Sequence, residues 1–299
     1  SSAFVSTNSI AQGEQVAVLW KELFKHNVQI LFAHRPFKWM SEARGKAHVT
    51  VVIVGFGRGV PTSSRLYDYE ANEEQPVLLV GENINPYLIH GPNVLVESRR
   101  TPICRVPAMV YGSFALDDGY YTLTAQEKAE LISACPEAKS FVHPFIGGKE
   151  LLHSIERYCL WLKDAAPQQI RSCKPIAERV EAVRKWRASR GRATTVELSQ
   201  TPNVFAEIRQ PSSSYLAIPT LSSERRRYVP IGLLDSFTIA SNQIYVMPNA
   251  GLYEFGVLSS LIHMSWVRHV CGRLEMRYRY SNAIVYNNFP WPQDVSEAK

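Results

Sequence analysis

The run Val49-Thr50-Val51-Val52-Ile53-Val54-Gly55-Phe56 constrains this chain more than any other stretch. A segment rich in β-branched side chains, without polar alternation, suits a strand covered on both faces, and that requires layers above and below a sheet. The preceding residues supply the rest of an α/β pattern. Ala3 to Ser9 reads as a strand ending in a polar turn, and Glu14 to His26 as an amphipathic helix with Val16, Leu19, Leu23 and Phe24 on one face. Val28 to Phe32 is a second strand. A polar excursion through Arg35-Pro36-Phe37-Lys38-Trp39 to Lys46 then returns into the valine run.

Near residue 58 the texture changes, and we expect a domain boundary there; 299 residues allow about two domains. Short apolar runs follow (Val77 to Val80, Asn93 to Val96, Met109 to Phe114), punctuated by Pro and Gly. A helix over Thr124 to Cys135 is signalled by Thr124 with Glu127 as a capping box and by Pro136 as its stop. Pro144 to Gly148 reads as a turn, Arg157 to Leu162 as a strand, and Pro175 to Arg190 as a basic helix opened by proline. Tyr215 to Pro219 and Tyr228 to Ile231 are strand-like. Leu252 to Arg273 reads as one long helix, leading into Arg277-Tyr278-Arg279-Tyr280 and an aromatic tail ending at Pro292.

No apolar run approaches the roughly 18 to 20 residues that span a bilayer, so a soluble, cytoplasmic protein is expected. The opening Ser1-Ser2-Ala3-Phe4-Val5 lacks the basic and apolar regions of a secretory signal and reads like the middle of a strand, as in a piece of a longer polypeptide. Five scattered cysteines without C-x-x-C spacing indicate reduced thiols. With His263 and His269 six apart and no clustered ligand motif, no metal site is expected.

Charge is unevenly spread. Between Arg171 and Tyr228 twelve basic residues face five acidic ones, a local +7 in a chain whose net charge is +6. An anionic partner is one reading; a solvated basic helix followed by a loop is the other. Gly55, Gly57 and Gly59 follow a hydrophobic strand as a nucleotide-binding fingerprint does. The Val60-Pro61-Thr62-Ser63-Ser64 that comes next is no helix start, so a strand-to-linker turn is favoured. Asn85-Pro86-Tyr87 lacks the second proline of an Asn-Pro-Pro-Tyr loop and reads as a turn.

Several signatures then accumulate: Ser6-Thr7-Asn8-Ser9-Ile10-x-Gln12-Gly13-Glu14-Gln15-Val16, Phe32-Ala33-His34-Arg35-x-Phe37-Lys38-Trp39 and Arg157-Tyr158-Cys159-Leu160-Trp161-Leu162. They continue through Ile218-Pro219, Ser222-Ser223-Glu224-Arg225-Arg226, Tyr228-x-Pro230-Ile231-Gly232, Phe255-Gly256-x-Leu258-Ser259-Ser260, Gly272-Arg273-Leu274 and Tyr286-Asn287-Asn288-Phe289-Pro290-Trp291-Pro292. Together they resemble the C-terminal half of the MmeI-like DNA adenine methyltransferases, single-chain type IIL restriction-modification enzymes. The resemblance implies an α/β remnant of a Rossmann-like methyltransferase sheet over 1–57, a mixed α+β target recognition domain over 58–232 and a helical C-terminal region over 233–299. It implies double-stranded DNA and the remainder of the parent polypeptide as partners. S-adenosylmethionine is the implied cofactor of that parent. The family's Phe-x-Gly-x-Gly and Asn-Pro-Pro-Tyr loops are not in this sequence, so these residues alone are expected to bind no cofactor and to be inactive.

In such enzymes the target adenine is flipped from the duplex and stacked on an aromatic ring. By resemblance Phe37, in the turn between the last two strands, is the stacking candidate and Trp39 the alternative; both rings simply packing the hairpin is the competing reading. His34 and Arg35 either support that turn or touch phosphate. For DNA, Arg184, Lys185, Arg187, Arg190 and Arg192 are assigned to phosphate because they crowd one helix end, and Arg209, Arg225 and Arg227, in loop-like segments, to guanine edges. Arg226 is set against Glu224 as a structural pair. Arg277 and Arg279 alternate with Tyr278 and Tyr280, so on a strand one pair meets DNA and the other packs. Two further readings stand against this one: a small-molecule enzyme binding a nucleotide at residues 55–59, and a basic RNA- or protein-binding module.

Overall fold

The valine run does become a central strand. A computed structural model of the chain describes residues 1–39, 49–59, 62–70, 72 and 74–292. The part of the polar excursion beyond Trp39, and Val60-Pro61 after the glycines, lie outside the described residues. Strand β1 (Ser2–Thr7), helix α1 (Glu14–Lys25), β2 (Val28–Trp39), β3 (Val49–Arg58), β4 (Ser64–Asp68) and β5 (Val77–Gly81) follow in order. They form a five-stranded sheet ordered β1-β3-β2-β4-β5. Because β3 is antiparallel to both neighbours, β1 and β2 run parallel with β3 laid between them. Val52 and Val54 at its centre are buried, and α1 buries Val16, Ala17 and Trp20 while Leu19 stays exposed.

Two expectations are corrected here. Strand β2 is twelve residues long and carries the supposed excursion within it, through register shifts at Ile30/Phe32 and His34/Phe37. Pro36, with no N–H to donate, falls in the second shift, where a bulge tolerates it. The sheet also does not end at residue 57, since β4 pairs in parallel with β2 and β5 pairs with β4.

The chain divides into two compact units, the first formed by residues 1–106, 221–228 and 260 onward, the second by 107–220 and 229–259. The second begins with β6 (Val110–Tyr111) and β7 (Thr122–Leu123), then α2 (Ala125–Ala134), where Thr124 and Glu127 close the anticipated capping box. After β8 (Val142–Ile146) come α3 (Gly148–His153), β9 (Tyr158–Leu160), α4 (Pro167–Ser172), α5 (Lys174–Ala188), α6 (Ala193–Glu197) and β10 (Tyr215–Pro219). Pro144, expected in a turn, lies in β8. It is tolerated there because β13 joins that edge only from Phe145 onward. The chain visits the first unit for β11 (Leu221–Ser222) and returns for β12 (Gly232–Leu234), β13 (Ile239–Ala240), β14 (Ile244–Pro248) and α7 (Leu252–Leu258).

Two four-stranded sheets result, β12-β10-β14-β6 and β13-β8-β9-β7. One core gathers Leu123, Cys159, Leu160, Ile176 and Val183; the other gathers Tyr215, Ala217, Ala240, Ile244 and Val246. Gly112 is required where β6 leaves its sheet. A Cβ there would lie 2.4 Å from the Ser241 carbonyl oxygen, a backbone atom that cannot step aside.

The predicted long helix is two. The first stops at Leu258 with Ser259 as its C-cap, and Ser260 caps α8 (Leu261–Val270), its hydroxyl accepting the His263 N–H at 3.1 Å. Helix α8, β15 (Gly272–Leu274) and β16 (Arg277–Arg279) belong to the first unit, where the strands order as β11-β16-β15. The C-terminal region therefore mixes strands with helices. No helix among the described residues is long and apolar enough to cross a membrane.

Candidate nucleic-acid interface

The basic helix α5 is half-committed before any ligand arrives. Ile176, Val180 and Val183 point into the core and turn the other face outward. There Arg184 Nε lies 3.2 Å and Lys185 Nζ 4.0 Å from Glu181, and Lys174 reaches Glu178. Arg190 spreads its guanidinium 4.2 Å from the Trp186 ring. Arg192 is exposed, with no side-chain partner among the described residues. Pairs this exposed are weak and exchange readily for a phosphate, yet the net field is smaller than the residue count implied. An open groove of about 870 Å³ along this face is lined by Lys174, Glu178, Glu181, Lys185 and Trp186, and so mixes both signs.

Arg187 corrects the phosphate assignment. It is fully buried. Its guanidinium donates to five backbone carbonyls: Ala115 at 2.8 Å, Leu116 at 3.0 Å, Val204 at 3.0 Å, Leu198 at 3.1 Å and Thr201 at 3.1 Å. A planar fork with five donors suits such a cage, and none remains for DNA. Its task is to fasten α5 to the segments at 115–116 and 198–204. Burial lowers its pKa, though a guanidinium stays charged.

The three guanine candidates separate. Arg209 lies in the second unit, half-exposed, held by Glu207 at 2.5 Å and by the Gly112 carbonyl at 3.5 Å. Arg225 and Arg227 lie in the first unit. Arg225 is exposed with Glu224 at 3.8 Å, so Glu224 faces Arg225 and not Arg226 as expected. Arg227 covers Tyr228 at 5.3 Å. Along β16 and the residue after it the alternation resolves cleanly: Tyr278 and Tyr280 are buried, Arg277 and Arg279 exposed.

An aromatic nest occupies the end of β2. Arg35 is committed to Asp68 and to the Leu88 carbonyl, which fixes the bulge. His34 stacks on Tyr67 at 4.3 Å and shares a 2.7 Å hydrogen bond with the Tyr69 hydroxyl; its burial lowers its pKa. Phe37 lies on the strand, paired with Val51, and not in a turn. One of its faces is covered by Tyr69, 4.8 Å away at 21°, whereas Trp39 is 46% exposed and 6.2 Å from Phe37. Tyr69 was missed in the sequence, where nothing linked residues 37 and 69.

The glycine loop fares differently. Gly55 and Gly57 are paired strand residues of β3, and a Cβ on Gly55 would strike the Phe32 ring. With the first two glycines spent on strand packing, the stretch forms no cradle for a nucleoside or a phosphate, which overturns the small-molecule reading. Nor is a group of three or more His, Cys, Asp or Glu able to hold a metal present among the described residues.

Known proteins resemble nearly the whole of the chain. The profile of the MmeI DNA-methyltransferase domain matches residues 1–68, and that of the MmeI target recognition domain matches residues 90–293. DNA methyltransferase A of Bacillus subtilis (strain 168) is 42% identical over 291 residues, which are 97% of this chain and 32% of that protein. The structure of the type IIL restriction-modification enzyme MmeI in complex with DNA superposes with a TM-score of 0.90 at 43% identity, over 97% of this chain and 39% of that one. The chain thus spans about a third of the length of these relatives, and it belongs to the MmeI-like restriction-modification methyltransferases, matching the end of their DNA-methyltransferase domain and their target recognition domain.

Proposed function

We propose that this chain reads a specific sequence in double-stranded DNA for an adenine-N6 methyltransferase of a restriction-modification system. The observation that carries the reading is the match, over 97% of the chain, to an MmeI structure solved with DNA. In the second unit, Arg184, Lys185, Arg190 and Arg192 at the end of α5 take phosphates. Arg209 takes a guanine edge: the carboxylate of Glu207 and the Gly112 carbonyl orient its fork, as bidentate reading requires. In the first unit the nest at the end of β2 receives the flipped adenine, with Trp39 offering an open ring and Phe37, backed by Tyr69, a braced one.

S-adenosylmethionine enters this proposal only as the cofactor of the longer protein. Of the glycines at 55, 57 and 59 the first two lie within β3, so no step is assigned to the cofactor on these residues. The remainder of the parent polypeptide and duplex DNA are the partners, in the cytoplasm. Arg209→Gln tests the reading: it should relax specificity at one guanine position by about 1–3 kcal/mol and leave the salt dependence nearly unchanged. A uniform loss over all sequences would remove Arg209 from base reading.

A further inference from the structure

The fold gathers arginines that the sequence keeps more than forty residues apart. Segments 221–228 and 260–280, both in the first unit, contain seven arginines against only Glu224 and Glu275. Strand β16 pairs with β11 through Leu221↔Arg279 and with β15 through Gly272↔Arg279, so the residues just after β11 are carried on the same small sheet. Two side chain-to-backbone bonds stitch the pieces: Arg268 donates to the Arg227 carbonyl at 3.4 Å, and Arg273 donates to the Arg268 carbonyl at 3.2 Å. Tyr278 and Tyr280 turn inward, the first under the Arg273 guanidinium at 4.4 Å. That leaves Arg225, Arg227, Arg277 and Arg279 exposed.

We infer that these four arginines form a second duplex-binding patch, one that grips the phosphate backbone and reads no base. The inference rests on the DNA-binding reading above and revises the guanine assignment of Arg225 and Arg227. Base reading needs a fork held in one geometry. The Arg225 side chain is 91% exposed with its nearest carboxylate 3.8 Å away, and Arg279 has no side-chain partner among the described residues. Among the described residues Arg277 shares only an exposed 3.0 Å pair with Glu275, which a phosphate displaces at little cost. Exposed, like-charged forks, held by no more than weak surface pairs or, for Arg227, the Tyr228 ring, with two buried tyrosines fixing the strand beneath them, suit a sequence-independent electrostatic contact.

The test is duplex binding by the whole chain across a salt series, comparing wild type with the fourfold Arg225/Arg227/Arg277/Arg279→Gln variant, the same four changed to Lys, and Arg184/Lys185/Arg190/Arg192→Gln. All substituted side chains are exposed, and circular dichroism checks that each variant is folded. At about 0.9 counterions per contact, the Gln patch variant should flatten the slope of log K against log salt by about 3 to 4 and weaken every duplex alike. The Lys variant should restore both. An unchanged slope in the Gln variant with wild-type binding intact overturns the patch and leaves the proposed function standing. A sequence-selective loss that Lys fails to rescue overturns the phosphate assignment in favour of base reading. If wild type binds no duplex, the proposed function falls first and the patch with it.

Discussion

Removing the guanidinium at Arg187 separates a cage from a contact. In Arg187→Met all five carbonyls lose their shared donor. Those of Ala115, Leu198 and Thr201 keep a second one, from the N–H groups of Ala206, Thr201 and Val204. Those of Leu116 and Val204 have no other donor among the described residues. An orphaned buried polar group costs about 1–3 kcal/mol, so the two together cost about 2–6. The variant no longer desolvates a cation, which offsets part of that. We expect a net loss of about 3 kcal/mol, or roughly 6–12 °C in the midpoint of the second unit. Arg187→Lys should recover only part, because an ammonium has three donors for five acceptors. Thermal and denaturant unfolding measure the loss, and duplex binding at low temperature, where the variant is still folded, measures the contact. A variant as stable as wild type to within about 0.5 kcal/mol, yet weakened towards DNA, would refute the cage and return Arg187 to the phosphate.

Other outcomes follow from local geometry. His263 is buried against Tyr280 and Phe289, and burial pushes its pKa down from 6.5 to about 4. A histidine held neutral in the fold adds stability that is present above about pH 6.5 and lost as the pH falls towards 4, about 3 kcal/mol in all. Unfolding of the first unit followed over that range should show the loss, and His263→Gln should flatten it; equal slopes would contradict the burial argument. Gly112→Ala should cost the second unit about 1–3 kcal/mol, since its Cβ meets the backbone of Ser241 and Ala240. A denaturant midpoint within error of wild type would show that β6 shifts freely. Phe37→Leu should cost about 1 kcal/mol through the lost ring pair with Tyr69, whereas Trp39→Leu should leave stability within about 0.5 kcal/mol, both read by chemical unfolding. The reverse order would move the braced ring from Phe37 to Trp39.

Much of this was legible in the residues. The capping box of α2, the valine strand and the inward and outward alternation of β16 each rest on local chemistry that tertiary structure did not override. Arg187 carried a signal that its charge obscured. Ile176, Val180, Val183 and Arg187 recur at four, three and four residues, so the arginine completes the buried stripe of α5. The break at Ser260 has no Gly or Pro to announce it; a serine hydroxyl chose between helix interior and N-cap, and tertiary packing decided. What the sequence order hid altogether was the regrouping of Arg225 and Arg227 with β16, because pairing across more than fifty residues leaves no periodic trace. The same holds for Tyr69 beneath Phe37.

The most direct measurement of the central claim is enrichment of duplexes by the chain from a randomised pool at physiological salt, followed by titration of the enriched duplex beside a scrambled duplex and matched single-stranded RNA. Sequence-specific duplex recognition predicts binding at least about 10³-fold tighter to the enriched duplex than to the scrambled one. Equal affinity for both duplexes, or tighter binding to the RNA, would contradict it.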